Sequence, residues 1–301
     1  MRPTITSDSA TAECARRASA IGQFQVARTV GVWKTAIMAH NVDELDTDSQ
    51  ARISRLRKLN LIAGIAHLAQ MCAILALSNS FSLPVTAAYP DGPPGTPVSA
   101  PVVLFDSRIA WGVALFFGLS ALFHLIVASP MFYERYSRGL LAQHNYFRWV
   151  EYSLSSSVMI VLIAQITGIT DVAALIAIFG VNASMILFGW LQEKYETPGS
   201  GGWLPFIFGC IAGIVPWIVV AIWVIGPGAV RALSVPGFVY GIIFTEFAFF
   251  NCFAIVQFLQ YKKVGKWANY LHGERAYIIL SLVAKSLLAW QIFSATLIPA
   301  Q

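Results

Sequence analysis

Seven long apolar runs dominate this chain, with short polar stretches between them. They fall at roughly 58–78, 107–129, 144–167, 171–193, 203–226, 236–261 and 274–298. Each is long enough to cross a bilayer as a helix, which takes about 20 apolar residues. The pattern predicts an all-α membrane protein, a seven-transmembrane helix bundle. Between the first two runs lies a long loop, 79–106, whose Tyr89-to-Pro97 segment is rich in turn residues. Val98 to Phe105 reads as a short strand, so a small two-stranded β-flap is expected there. Pro216 should kink the fifth span. Gly209-x-x-x-Gly213 and Gly237-x-x-x-Gly241 permit close helix approach, within the bundle or across a dimer face. Asn182-Ala-Ser184 matches a glycosylation sequon but lies inside the fourth span, so it is set aside.

Residues 1–50 differ from 51–301 and are read as a separate extension. They are polar, with scattered Arg16, Arg17 and Arg28 and an acidic Asp43–Asp48 stretch, and they lack the apolar core of a signal peptide. Two readings stand: a disordered cytoplasmic tail, or translation starting at Met38. Neither assigns the segment a function.

Composition agrees with the pattern. The chain is 57% hydrophobic and 12% charged, where soluble domains hold about 25% charged residues. The net charge of +5 forms no basic face, so nucleic acid is not an expected partner. Cys14, Cys72, Cys210 and Cys252 form no C-x-x-C pair. They suggest neither a disulfide framework nor a zinc site, and the three within spans read as small packing residues. No Ser-His-Asp, zinc-ligand or phosphate-loop constellation points to classical enzyme chemistry. Lys and Arg beside the spans set the orientation. Arg52, Arg55, Arg57, Lys58, Arg135, Arg138, Lys194, Lys262, Lys263, Lys266 and Arg275 lie on one side, and Arg108 and Arg231 on the other. This puts the N-terminus in the cytoplasm, the C-terminus and the 79–106 loop outside, and the protein in the cell membrane.

Within the spans, His67, His124, Arg148, Glu151, Glu246 and Lys285 need a reason to be there. A lysine at mid-membrane costs roughly 2.5 kcal/mol or more. Lys285 stands near the centre of the last run, and Glu151 is a carboxylate at a suitable depth in the third. A lysine amine joined to a carbonyl ligand as a Schiff base, with a carboxylate counterion, is the working pair of a retinal-binding protein. An anion beside the protonated imine keeps its proton in place within an apolar pocket. Ser281 lies four residues before Lys285, and Ser120 four before His124, each on a shared helical face. His67, His124, Glu151 and Lys285 are thus placed to surround one polar cavity, with the histidines as proton acceptors. The histidines also fit as hydrogen-bonded core residues, and Glu151 also fits as a partner for Arg148. Glu246 reads as structural, in the interior, at a dimer contact or at a water-filled defect, with a second counterion as the alternative. Trp290, Phe249, Phe250 and Met185 suit a polyene sleeve, and Tyr152 adjoins the carboxylate; packing is the alternative for each.

The stretches Arg148–Ser157, Phe179–Glu193, Gly209–Trp217 and Ser281–Ser286 resemble heliorhodopsins, and the resemblance runs from about residue 53 to the C-terminus. It implies all-trans retinal on Lys285, Glu151 as sole carboxylate counterion, and a cytoplasmic-side polar cavity holding His67 and His124. Ser120 and Ser281 match the serines around the Schiff base. A homodimer, a slow photocycle and a sensory role toward a cytoplasmic partner are also implied. Outward proton pumps resemble one another in a carboxyl donor eleven residues beyond the helix-three carboxylate and a second carboxylate four before the lysine. This chain has Leu162 and Ser281 there. A light-sensing photoreceptor is therefore the leading reading. Light-driven ion passage and a retinal-independent scaffold or enzyme modulator are the alternatives.

Overall fold

The computed structural model describes residues 48–231 and 236–298. Residues 1–47, with Cys14, the scattered arginines and Met38, lie outside the described residues, as do Pro299 and the side chain of Arg231. The chain divides into two units, Met1–Arg52 and Ile53–Gln301. In the first, the described residues are helical and Arg52 pairs with Asp48 at 2.8 Å.

Among the described residues, seven helices are long and apolar enough to span a membrane. They are α1 (Asp48–Leu77), α2 (Ile109–Ala128), α4 (Tyr146–Ile166), α5 (Val172–Tyr195), α6 (Leu204–Arg231), α7 (Gly237–Tyr261) and α8 (Tyr270–Ile292). A π-helical turn, Phe293–Leu297, prolongs α8. Large apolar side chains such as Ile62, Trp111, Ile176, Ile225 and Phe244 are exposed on their outer faces. Helices apolar all round, packed inside and bare outside, are what lipid selects. The first helix starts well before its apolar run. Its early turns are amphipathic, burying Ile53 and Leu56 while Arg55 and Lys58 stay exposed.

Side-chain caps set several helix starts. Asn145 accepts from Arg148 N (3.2 Å), Asp171 from Ala174 N (3.0 Å) and Asn269 from Leu271 N (3.0 Å). The stretch 130–143, between the second and third apolar runs, contains a further helix, α3 (Pro130–Leu141). Pro130 suits its first turn, and it buries Tyr136, Gly139 and Leu140 beneath a face carrying Arg135 and Arg138.

The long loop forms an antiparallel hairpin, β1 (Ser82–Ala87) with β2 (Val102–Arg108), irregular between Val85 and Thr86. The second strand begins later than the sequence suggested. Pro97 and Pro101 cannot donate to a ladder, so regular pairing starts only after them. Thr86 bonds Thr170 through backbone (2.9 Å) and hydroxyl (3.0 Å), which seats the hairpin on the α4–α5 turn.

Helix α4 is the span most enclosed by its neighbours and packs against α2, α5, α6 and α7. One apolar cluster, including Phe116, Phe117, Ile160, Ile163, Leu288 and Ile292, fills the hairpin half of the bundle. A second, including Leu56, Tyr136, Leu140 and Ile278, fills the opposite half. Close approach of α5 and α6 relies on Gly209 and Gly213, where an added Cβ would meet Met185. A Cβ at Gly237 or Gly241 would meet nothing, so that pair takes no part in packing the bundle. Asn182 is buried and donates to Ser156 (2.9 Å) and Ser157 (3.0 Å), tying α5 to α4. Cys72 and Cys210 are exposed on the bundle rather than packed within it, and Cys252 is half-buried; all three are free thiols.

Candidate functional site

Lys285 on α8 and Glu151 on α4 meet at mid-bundle. Lys285 Nζ donates to Glu151 Oε1 at 2.8 Å, and both side chains are about 96% buried, being 4% exposed. Nζ also donates to Ser281 Oγ (2.8 Å), one turn back on its own helix. Ser120 on α2 donates to the same Glu151 Oε1 (2.7 Å). Tyr152 presents its ring 5.2 Å from Nζ and anchors its hydroxyl on Tyr277 O (2.9 Å). Removing either ion alone would leave the other buried and unpaired, at a cost of about 3–5 kcal/mol. The pair is sustainable only because each charge has its partner and its hydrogen bonds.

On one side of the pair lies a polar cluster. His124 on α2 bonds Asn60 on α1, Nδ1 to Oδ1, at 2.7 Å. His67 stacks on His124, with centroids 5.5 Å apart and planes at 12°. Neither nitrogen of His67, nor Nε2 of His124, has a hydrogen-bond partner among the described residues. His124 and Glu151 line a small cavity of about 30 Å³ together with Arg148 and Glu274. Of the four residues expected around one polar cavity, His124 and Glu151 line it, whereas Lys285 faces a second cavity and His67 stacks behind His124 without lining either.

On the other side lies an apolar cavity of about 180 Å³, several times the 10–15 Å³ that admits one water. Trp149, Tyr152, Met185, Trp217, Phe250 and Lys285 are among its walls. Small residues at Gly209, Gly213, Ala254 and Ala284 keep it open. Trp217 meets Phe247 and Phe250 edge-on, at 5.3 and 5.4 Å. A buried primary amine at the edge of an aromatic cavity fits a carbonyl-bearing polyene such as retinal. Met185 and Phe250, expected in a polyene sleeve, stand among its walls. Trp290 does not: it is partly exposed, and its Nε1 donates to Gln70 Oε1 (3.1 Å) on α1. Phe249 is also absent from the walls. The face of α7 that lines the cavity is set by Phe250, Phe253 and Gln257, whose spacing turns Phe249 aside.

Arg148 proves not to be the partner of Glu151. Its guanidinium pairs with Glu193 Oε2 on α5 (2.5 Å) and with Glu274 on α8. It also lies against the rings of Trp149 (4.5 Å) and Tyr277 (4.2 Å). Asn145 donates through Nδ2 to Glu274 Oε2 (2.8 Å) and Tyr270 Oη to Glu193 Oε2 (3.2 Å). Sequence reasoning missed this network because Glu193 and Glu274 sit at span ends, where charge is ordinary. It also missed Ser155, whose Oγ lines the apolar cavity without a partner among the described residues. Asn60 was missed too, although it lies seven residues before His67 on the same helical face. Glu246 is fully buried on α7, with neither oxygen hydrogen-bonded among the described residues, and lines neither cavity. It belongs to the bundle interior rather than to a dimer contact. No cluster of three or more metal-ligating side chains occurs among the described residues.

The heliorhodopsin family matches residues 56–297. No curated protein sequence matches the chain. A light-driven proton pump from Leptosphaeria maculans is similar in fold, with TM-score 0.56 and 15% identity, covering 79% of this chain and 93% of the pump. A cyanorhodopsin from the cyanobacterium Tolypothrix sp. gives 0.53 and 13%, covering 82% and 94%. Xanthorhodopsin, a light-driven ion pump with dual chromophore, gives 0.51 and 13%, covering 81% and 92%. These likenesses establish the rhodopsin fold. The family match establishes more: the chain belongs to the heliorhodopsin family, and is a retinal-binding, light-responsive, multi-pass membrane protein.

Proposed function

We propose that this member of the heliorhodopsin family is a light sensor that pumps no ions, with all-trans retinal joined to Lys285. The observation that carries the reading is the buried Lys285–Glu151 pair at the edge of an aromatic cavity. When bound, the chromophore supplies the light-driven isomerisation that disturbs the proton at Lys285 Nζ. The chain's own residues do the rest. Glu151 Oε1 stabilises positive charge at Nζ, with Ser120 holding the carboxylate and Ser281 the nitrogen. Trp149, Trp217 and Phe250 exclude water and orient a long apolar ligand. The two histidines, beyond Glu151, offer bare imidazole nitrogens to a proton leaving Nζ.

Two features favour sensing over transport. Leu162, at the position of a pump's proton donor, lies buried in the apolar cluster, and Ser281 replaces a second carboxylate. A proton displaced from Nζ therefore stays within the polar cluster, and its new position alters the packing of α1 and α2. We infer a cytoplasmic N-terminus from the lysine and arginine bias, which leaves α3 and the α7–α8 turn to meet a cytoplasmic partner. The open glycine face at Gly237 and Gly241 suits a homodimer contact.

The test is a visible absorption spectrum of the purified protein after adding all-trans retinal, with two variants in parallel. Wild type should develop a band well to the red of free retinal, and Lys285→Ala should develop none. Glu151→Gln should move the band to longer wavelength or let the imine lose its proton. A folded wild type without a band would overturn the chromophore reading. An unchanged band in Glu151→Gln would pass the counterion role to another group.

A further inference from the structure

We propose that Asn60 is a positioning residue. It fixes the tautomer of His124 and so makes His124 Nε2 the atom that receives the proton leaving Lys285 Nζ. The proton's origin rests on the light-sensor reading above; the tautomer does not.

The argument starts from what each atom can do. Asn60 is buried on α1, and its Nδ2 donates to Leu56 O (2.9 Å) and lies 3.0 Å from Tyr136 Oη. A backbone carbonyl only accepts, so the amide atom facing Leu56 O is the nitrogen. Oδ1 must then be the atom 2.7 Å from His124 Nδ1. An amide oxygen also only accepts, so Nδ1 carries the hydrogen. A neutral imidazole has one N–H, which leaves Nε2 with a bare lone pair. That nitrogen is buried and unpartnered among the described residues. His124 shares the cavity of about 30 Å³ with Glu151, room for about two waters at 10–15 Å³ each.

His67 is the rival acceptor. Nothing among the described residues hydrogen-bonds either of its nitrogens, so its tautomer is unassigned by any partner. The stacked rings also make double occupancy costly, since two imidazolium charges would sit 5.5 Å apart. In the transfer, the N–H bond at Nζ breaks and its electron pair stays on nitrogen. A new N–H bond forms at His124 Nε2, reached past Glu151, which touches Nζ and shares the small cavity with His124. The positive charge moves from Nζ to the imidazole, and Nδ1–H becomes a charge-assisted donor to Asn60 Oδ1. Glu151 remains the anion facing both.

The test uses the full-length protein labelled with 15N-histidine, without added chromophore, and magic-angle-spinning NMR. His124 signals are assigned by their loss in His124→Gln. Wild type should show a protonated Nδ1 and an unprotonated Nε2. Asn60→Leu should release the ring into a mixture of tautomers. Asn60→Asp, which keeps an accepting oxygen beside the ring, should keep the proton on Nδ1, as Asn60→Leu should not. Tyr136→Phe should leave it unchanged, because Leu56 O still orients the amide. A proton on Nε2 in wild type, or an unaltered tautomer in Asn60→Leu, would overturn the assignment. In retinal-loaded protein, Asn60→Leu should also slow flash-induced loss of the proton from Nζ on the order of 10²-fold, within the range of general-base effects. A released tautomer with an unchanged rate would remove His124 as the acceptor. A wild type that forms no visible band would instead defeat the sensor reading and leave the NMR result to decide the tautomer.

Discussion

Gly189 carries no side chain, and Trp149 uses the space. A Cβ at residue 189 would lie 2.5 Å from the Trp149 ring, and both residues border the apolar cavity. Gly189→Ala should therefore push the indole into the ligand space. The expected loss is about 1–3 kcal/mol of stability, as for other overpacked sites, with slower growth of the visible band on adding retinal. Gly180→Ala, where a Cβ on α5 meets nothing within 4 Å, should change neither thermal unfolding nor band formation. Equal effects at the two positions would mean the crowding argument is wrong. The same scale shows what could be read in advance. Lys285 and Glu151 announce themselves in the chain because a lone charge in an apolar run needs a partner. Arg148 announces itself too, but its partners do not. Glu193 and Glu274 look like ordinary span-end charges, and only the meeting of α4, α5 and α8 turns them inward.

At the scale of the element, α3 illustrates how a short amphipathic helix is held. Its anchor is Tyr136, 2% exposed and bonded by Asn60 Nδ2 at 3.0 Å. Burial pushes the Tyr136 phenol up from 10.0 to about 12. The folded protein thus resists ionisation that the unfolded chain undergoes. The stabilisation is fully present below pH 10.0 and is lost as pH rises through about 12. Tyr136→Phe should cost about 1 kcal/mol at neutral pH, the value of one hydrogen bond. It should also flatten the alkaline loss of stability over that window. Thermal unfolding of wild type and variant across the pH range would check both effects; parallel alkaline curves would show that another group governs them. A related lesson concerns β2. Alternation and turn residues were enough to expect a hairpin, but regular pairing of β2 starts only after Pro101, and it is β1, through Thr86, that lands on Thr170.

For the whole molecule, the decisive question is whether light moves ions across the bundle. The Lys285–Glu151 pair adjoins the cluster of His67, His124 and Asn60, and Leu162, the residue eleven beyond Glu151, is buried among apolar neighbours. The Arg148 network, with both carboxylates held, fills the space between α4, α5 and α8. Voltage-clamped cells expressing the retinal-loaded protein should accordingly give no stationary photocurrent at any holding potential. A sustained current that disappears in Lys285→Ala would replace the sensor reading with light-driven transport.

The chain by itself determined that seven helices cross a membrane, which way they are biased to run, and that a lysine and a carboxylate must meet inside. Transfer cost decides these matters, and it acts on each segment whatever its neighbours do. Tertiary structure alone decided which side chains share a cavity. Phe250 and Met185 enter the aromatic wall while Phe249 and Trp290 do not, because helix rotation is set by packing and not by hydropathy in spans apolar on every face. Asn60's grip on His124 belongs to the same class. It exists only because α1, α2 and α3 bring an amide, an imidazole and a phenol within hydrogen-bond reach.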